Sequence, residues 1–184
     1  MARTRLRLIH KVKKYQITGQ FSGWIRSFLL GRKQRVIENG EKSEWSDVTS
    51  GIPQGSVLGP ILFVLYINDM PEVTSVGTHT YLFADDTKAF RGIFQQSDCV
   101  GLQIDIHALQ EWSDKWLLCF HPEKCKAMRI GKSRIDKMDY TLKDGLPPME
   151  YVESEKDIGV VIDNKLTFNR HSNIFPKRST RLIR

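Results

Sequence analysis

The stretch "TYLFADDTKAF", residues 80–90, runs apolar residues up to two adjacent aspartates, Asp85 and Asp86, and then resumes a half-apolar alternation. Alternation of period two on both sides of a polar pair predicts two short β-strands meeting at a tight turn. Carboxylates about 4 Å apart repel, and a protein tolerates them where solvent screens them or a cation neutralises them. An exposed turn meets the first condition, because aspartate suits turn conformations. A bound Mg²⁺ meets the second, since hard cations take oxygen ligands and work beside phosphate groups. From the residues alone both readings stand.

Working outward, "GIPQGSVLGPILFVLYINDMP" (51–71) places a loop of Gly51, Pro53 and Gly55 before an apolar run. Pro60 suits the first turn of a helix and Pro71 lies beyond its end, so a helix is predicted over 57–69, buried because it is nearly all apolar. On the other side, Cys99, Leu102, Ile106, Leu109, Trp112 and Trp116 recur every three or four residues, predicting an amphipathic helix over 97–118 with Ser97 as its N-cap. Nearer the start, Leu8, Val12 and Tyr15 mark one short helix. Phe21, Trp24, Ile25, Phe28 and Leu29 mark the apolar face of a second, with Gly31 just past its end. Asn39-Gly40 inside "RKQRVIENGEKSEWSDVTS" (32–50) predicts a two-stranded ribbon whose first strand carries Arg32, Lys33 and Arg35. After residue 124 the chain turns strand-like, through "KCKAMRIGK", "MDYTLKDG", "PMEYVES" and "DIGVVIDNKLTF".

Charge is unevenly distributed. The 184 residues carry a formal net charge of +7, and all ten Lys and Arg residues up to Val36 precede the first acid, Glu38. Such a basic segment points to a polyanionic partner, nucleic acid first. It also imitates a mitochondrial transit peptide, but the basic pattern continues into segments that read as folded. Three cysteines, Cys99, Cys119 and Cys125, make no paired framework, which suits an intracellular, reducing compartment. Cys119, His121 and Cys125 are an incomplete zinc set. No apolar run reaches the ~20 residues of a spanning helix, and no signal peptide or membrane partner is expected.

Several motifs in order carry a family resemblance. "FADD" (83–86) between two strands, preceded by "SGIPQGSVLGPILFVLYINDM" (50–70), resembles the palm of a reverse transcriptase from a non-LTR, jockey-like retrotransposon. "HKVKKYQITG" (10–19), "WIRSFLLGRKQRV" (24–36), "WLLCFHPEKCKAMRIGK" (116–132) and "ESEKDIGVVIDNKLTFNRH" (153–171) resemble the segments that flank that palm. The resemblance implies an α+β fold with a palm-like antiparallel sheet packed on helices, the fingers missing and the thumb incomplete. It divides the chain into a basic helical segment (1–31), a palm core (32–135), palm-to-thumb strands (136–170) and the start of a thumb or a disordered tail (171–184).

The implied function is RNA-directed DNA polymerisation: two-metal nucleotidyl transfer to a primer 3′ end, with an RNA template, a DNA primer and deoxynucleoside triphosphates as partners. Asp85 and Asp86 would be the catalytic metal ligands for Mg²⁺, with Mn²⁺ as a substitute, and Lys124 would assist pyrophosphate departure. Gly51, Pro53, Gln54, Gly55 and Ser56 would line template and incoming nucleotide, with Phe83 beside the primer end. Arg32, Lys33 and Arg35 would follow the nucleic-acid backbone. A nuclear location follows from copying at genomic DNA.

One departure limits this reading. Such polymerases place a third carboxylate on a strand before the segment matched by 24–36, and no acid precedes Glu38 here. Little polymerisation is therefore expected from this chain alone. A non-catalytic nucleic-acid-binding relic or domesticated module is the alternative, and a generic Mg²⁺-dependent nuclease a weaker one.

Overall fold

The structure is a computed structural model that describes residues 2–49, 51, 55–132, 134–169 and 171. Among these residues four helices supply the core: α1 (Ala2–Lys14), α2 (Gly19–Leu29), α3 (Leu58–Ile67) and α4 (Gln96–Trp116). Among the described residues, ten short strands pair into five separate two-stranded sheets, four antiparallel and one parallel. These elements make an α+β fold.

Leu8, Ile9 and Val12 of α1 meet Ile25 and Leu29 of α2, Leu62, Tyr66 and Ile67 of α3, and Leu109 and Trp112 of α4 in one cluster. Fully burying a leucine such as Leu29 or Leu62 stabilises the fold by roughly 2–3 kcal/mol. Pro60 sits in the first turn of α3, where its missing N–H is harmless, and Pro71 opens a 3₁₀ turn (Pro71–Val73) after the helix.

Three helix expectations need correction. The α3 helix is apolar all round yet covered on one side only by the described residues: Val57, Ile61 and Val64 are 85%, 52% and 54% exposed. On α2 the buried positions are Ser22, Ile25 and Leu29, whereas Phe21 and Trp24 lie one stripe away and form an exposed ladder with half-buried Phe28, centroids 5.7 and 6.1 Å apart. The α4 helix begins at Gln96, and its N-cap is Gln95, not Ser97: Asp98 accepts the backbone N–H groups of Phe94 and Gln95 at 2.9 and 3.0 Å, completing a capping box.

The ribbon forms in two pieces. Strands β1 (Lys33–Gln34) and β4 (Ser46–Asp47) pair outside β2 (Ile37–Glu38) and β3 (Glu41–Lys42), whose two-residue turn has positive φ at both Asn39 and Gly40, as its dipeptide predicts. The hairpin of "TYLFADDTKAF" is β5 (Thr78–Phe83) against β6 (Asp86–Arg91), in unbroken antiparallel register from Thr78↔Arg91 to Phe83↔Asp86.

Beyond α4 the strands are sparser than expected. "MDYTLKDG" forms no strand; it is a loop anchored by buried Tyr140 and Leu142 on Ile106. In "KCKAMRIGK" only β7 (Lys126–Ala127) is extended, and it pairs in parallel with β8 (Glu150–Tyr151). The last pair, β9 (Ser154–Asp157) and β10 (Val160–Asp163), closes through Ile158-Gly159. Of the tail over 171–184 only His171 is among the described residues.

Candidate functional site

The β5–β6 hairpin has two faces because side chains alternate along each strand. Thr78, Thr80, Leu82, Thr87, Ala89 and Arg91 face inward, with Leu82 and Ala89 on the helical core and the Thr87 hydroxyl 3.6 Å from Met70 Sδ. His79, Tyr81, Phe83, Asp86, Lys88 and Phe90 occupy the other face, where Phe90 stacks on both Tyr81 at 5.3 Å and His79 at 5.2 Å. A one-residue slip would exchange the faces, so burial of Leu82 and Ala89 fixes where the tip falls.

At that tip Ala84 and Asp85 are the two central turn residues and Asp86 starts β6. Ala84 has φ of 50°, the positive value that a type II′ turn requires at its first central position. Asp85, Asp86 and Phe83 are all exposed, Phe83 by 55%. Neither aspartate forms an ion pair within the described residues, so both carboxylates face solvent as acceptors without a protein cation. Two oxygen-donor side chains free of competing cations fit a hard divalent ion in chemistry. In number they fall short, because the described residues contain no group of three His, Cys, Asp or Glu placed to hold a metal. That includes Cys119, His121 and Cys125.

The base of the hairpin is clamped to α4. Asp105, 2% exposed, accepts the Ser75 N–H at 2.7 Å and the Ser75 hydroxyl at 2.9 Å, while Arg91 Nη1 lies 3.5 Å from it and donates to Thr78 Oγ1 at 3.2 Å. Burial alone would raise this carboxyl, but hydrogen bonds from Thr78 and Ser75 and the Arg91 charge outweigh it and hold it below its ordinary value.

The other end of α4 carries a second cluster. Lys11 is fully buried, its Nζ 2.5 Å from both the Asp69 carboxylate and the Tyr66 carbonyl, and 3.7 Å from the centroid of Trp116. Trp112 Nε1 donates to the same Asp69 oxygen at 3.1 Å, and the Tyr66 hydroxyl donates to the Trp116 carbonyl. Burial pushes the Tyr66 phenol up to about 12. Sequence reading missed this cluster: a lysine among ten basic residues reads as solvated, and only the neighbouring apolar positions Leu8 and Val12 signal that a helix face turns inward there.

The glycine loop and the ribbon touch through Arg32, which donates to the Gly51 carbonyl at 2.5 Å and to the Leu29 carbonyl at 3.4 Å. Burial, then the charge of Arg5, lowers the Arg32 guanidinium pKa. Gly51 and Gly55 both have φ of 76°, a conformation that favours glycine, and Ser56 Oγ accepts the Gly59 N–H at 3.1 Å at the start of α3. Pro53 and Gln54 lie outside the described residues. Lys33 and Arg35 are exposed, with Arg35 4.6 Å above the Trp45 ring. Lys124 ends a 3₁₀ turn (Pro122–Lys124) rather than lying in a strand, and it is exposed.

Comparison with known proteins follows the same lines. Residues 6–165 match the family described as reverse transcriptase (RNA-dependent DNA polymerase). The chain is 31% identical over 170 residues to the probable RNA-directed DNA polymerase from transposon X-element of Drosophila melanogaster. It is 32% identical over 175 residues to the RNA-directed DNA polymerase from mobile element jockey of Drosophila funebris. These alignments cover 86% and 89% of this chain but only 18% of either relative. No solved structure matches. An 11-residue hairpin motif alone would leave the family open, but a match running from α1 to the end of β10 does not: the chain belongs to the reverse transcriptase family and is similar to a segment of jockey-type mobile-element polymerases.

Proposed function

We propose that this chain contributes the palm part of an RNA-directed DNA polymerase that extends a DNA primer on an RNA template. The observation that carries the reading is the hairpin tip, where Asp85 and Asp86 stand exposed, adjacent and without a cation partner among the described residues, at the end of a register anchored in the core. Mg²⁺ held there, or Mn²⁺ in its place, would supply the charge that activates a primer 3′-hydroxyl and stabilises departing pyrophosphate. Asp85, in the turn, and Asp86, first in β6, would hold it.

The chain's own residues then divide the remaining work. The glycine loop ending in Ser56 brings backbone close to template and nucleotide, with Gly51 held by Arg32 and with Pro53 and Gln54 assigned by resemblance. Phe83 stands beside the tip to contact the primer end. Lys124 offers a mobile ammonium for the leaving group, and Lys33 and Arg35 offer charges to phosphates. A nuclear location belongs to the same proposal, and no described helix is long and apolar enough to cross a membrane.

Mn²⁺ titration followed by NMR tests the tip directly. Amide signals of residues 83–88 should broaden first, and Asp85→Asn should abolish that selectivity; broadening spread evenly over the chain's acids would remove the assignment. In primer extension on an RNA template, the chain alone should give little product. Product that survives Asp85→Ala would place the chemistry elsewhere.

A further inference from the structure

Between the end of α1 and the start of α2 lies a groove of about 460 Å³, lined by the apolar Ile9 and by Lys13, Thr18, Gly19, Ser22, Gly23 and Arg26. Three of its features are left unexplained by the protein's own packing. Thr18, at the N-cap of α2, makes no side-chain hydrogen bond to the helix, so the positive end of an 11-residue helix is uncapped there. Ser22 lines the groove while only 9% exposed, and its hydroxyl has no hydrogen-bond partner among the described residues. That oxygen is therefore open to solvent in the groove, where a ligand could reach it.

The third feature is Gly23, in the body of α2, where glycine is less favourable than alanine. Gly101, in α4, has a packing reason, because a Cβ there would sit 3.0 Å from Arg91 Cζ. At Gly23 an added Cβ meets nothing within 4 Å. What the missing Cβ preserves is the open groove itself.

Every side chain with a polar group in this lining is a donor: two hydroxyls, an ammonium and a guanidinium. Lys13 and Arg26 are exposed and form no ion pair within the described residues, and no acid precedes Glu38 in the chain. Donors without a carboxylate exclude a metal cation and match the oxygens of a phosphate. We propose that the α1–α2 corner binds a phosphate group. Ser22 Oγ and the first-turn N–H groups of α2 are its neutral donors, and Lys13 and Arg26 its charges. No aromatic side chain lines the groove, so the phosphate is held without a stacked base. A phosphodiester of a nucleic-acid strand and a free phosphate group share this chemistry. The site shares no residue with the hairpin tip, and its test is independent of polymerase activity.

The test is a titration of the ¹⁵N-labelled 184-residue chain with inorganic phosphate to roughly 50 mM, a range that captures millimolar binding. Amides of Gly19, Gln20, Phe21 and Ser22 should shift saturably. Lys13→Ala with Arg26→Ala should weaken binding by about tenfold or more. Gly23→Ala should weaken it by roughly threefold or more while raising Tm, because alanine favours the helix but fills the groove. That variant separates loss of ligand from loss of fold. Absent shifts in the unaltered chain, or unchanged phosphate affinity in either variant, would overturn the proposal. Salt titration with a short RNA–DNA duplex then names the source. A log–log slope shallower by about 2 in the Lys13→Ala/Arg26→Ala chain assigns the phosphate to a nucleic-acid strand, and an unchanged slope with lost phosphate binding assigns it to a free phosphate group.

Discussion

Lys11 of α1 and Asp69, 58 positions later and just after α3, meet at 2.5 Å with Trp112 and Trp116 of α4 against the ammonium. This contact joins three helices at one point. Burial lowers the Lys11 pKa, and the hydrogen bond and charge of Asp69 pull it back up. A buried pair of this kind contributes little net stability over an apolar substitute, whereas one partner left alone is costly. Asp69→Ala should therefore destabilise the chain by about 3–5 kcal/mol in urea unfolding followed by tryptophan fluorescence. The double variant Lys11→Met/Asp69→Asn should recover most of that loss, since the asparagine still accepts the Trp112 N–H. If the double variant is as unstable as the sum of its single changes, the two residues are not coupled.

The clamp on the hairpin makes a pH prediction. Asp105 is held below its ordinary value of 3.8, so its stabilising effect is fully present above that value and is lost as pH falls through the folded-state pKa. Acid unfolding should begin with the hairpin and the Ser75 segment, seen as early amide exchange there. Asp105→Asn should be less stable at neutral pH, because one acceptor becomes a donor beside Arg91. Its stability should also be flatter between about pH 5 and pH 2. An identical acid profile in the variant would mean that other carboxylates set it.

Ala84 carries strain at the tip itself. A non-glycine residue at φ of 50° costs about 1–2 kcal/mol relative to its right-handed basin. Ala84→Gly should relieve part of this and raise stability by roughly 0.5–1 kcal/mol in thermal unfolding, provided the turn keeps its two-residue length. A lower Tm in the variant would show that the Ala84 methyl makes a contact worth more than the strain.

The hairpin was legible because its alternation has a period that only a strand pair satisfies, and because Asp-Asp interrupts it at one place. The Asn39-Gly40 turn was legible for a similar reason, since few dipeptides accept positive φ twice. Burial was not legible for α3. An apolar helix predicts a covered helix, but cover depends on what other elements reach it, and the described residues reach only the side of Leu62, Tyr66 and Ile67. "MDYTLKDG" was misread because Tyr140 and Leu142 mimic strand alternation while serving as two anchors of a loop on Ile106. The Lys11–Asp69 pair was hidden by distance in sequence, and neither residue type advertises burial.

Among the basic residues assigned to nucleic acid, the geometry separates two roles. Arg32 holds the carbonyls of Leu29 and Gly51 and so braces the ribbon against the glycine loop, while Lys33 and Arg35 project from the exposed ribbon. Arg32→Ala should lower Tm by leaving both carbonyls without this donor. Lys33→Ala with Arg35→Ala should leave Tm nearly unchanged, because exposed substitutions usually cost no more than about 0.5 kcal/mol. In RNA–DNA duplex binding the order reverses. Each phosphate contact adds about 0.9 to the salt slope, so removing Lys33 and Arg35 should flatten log K against log salt by roughly 2. A slope that falls with Arg32→Ala and not with the pair would exchange their roles, making Arg32 the phosphate ligand and Lys33 and Arg35 bystanders.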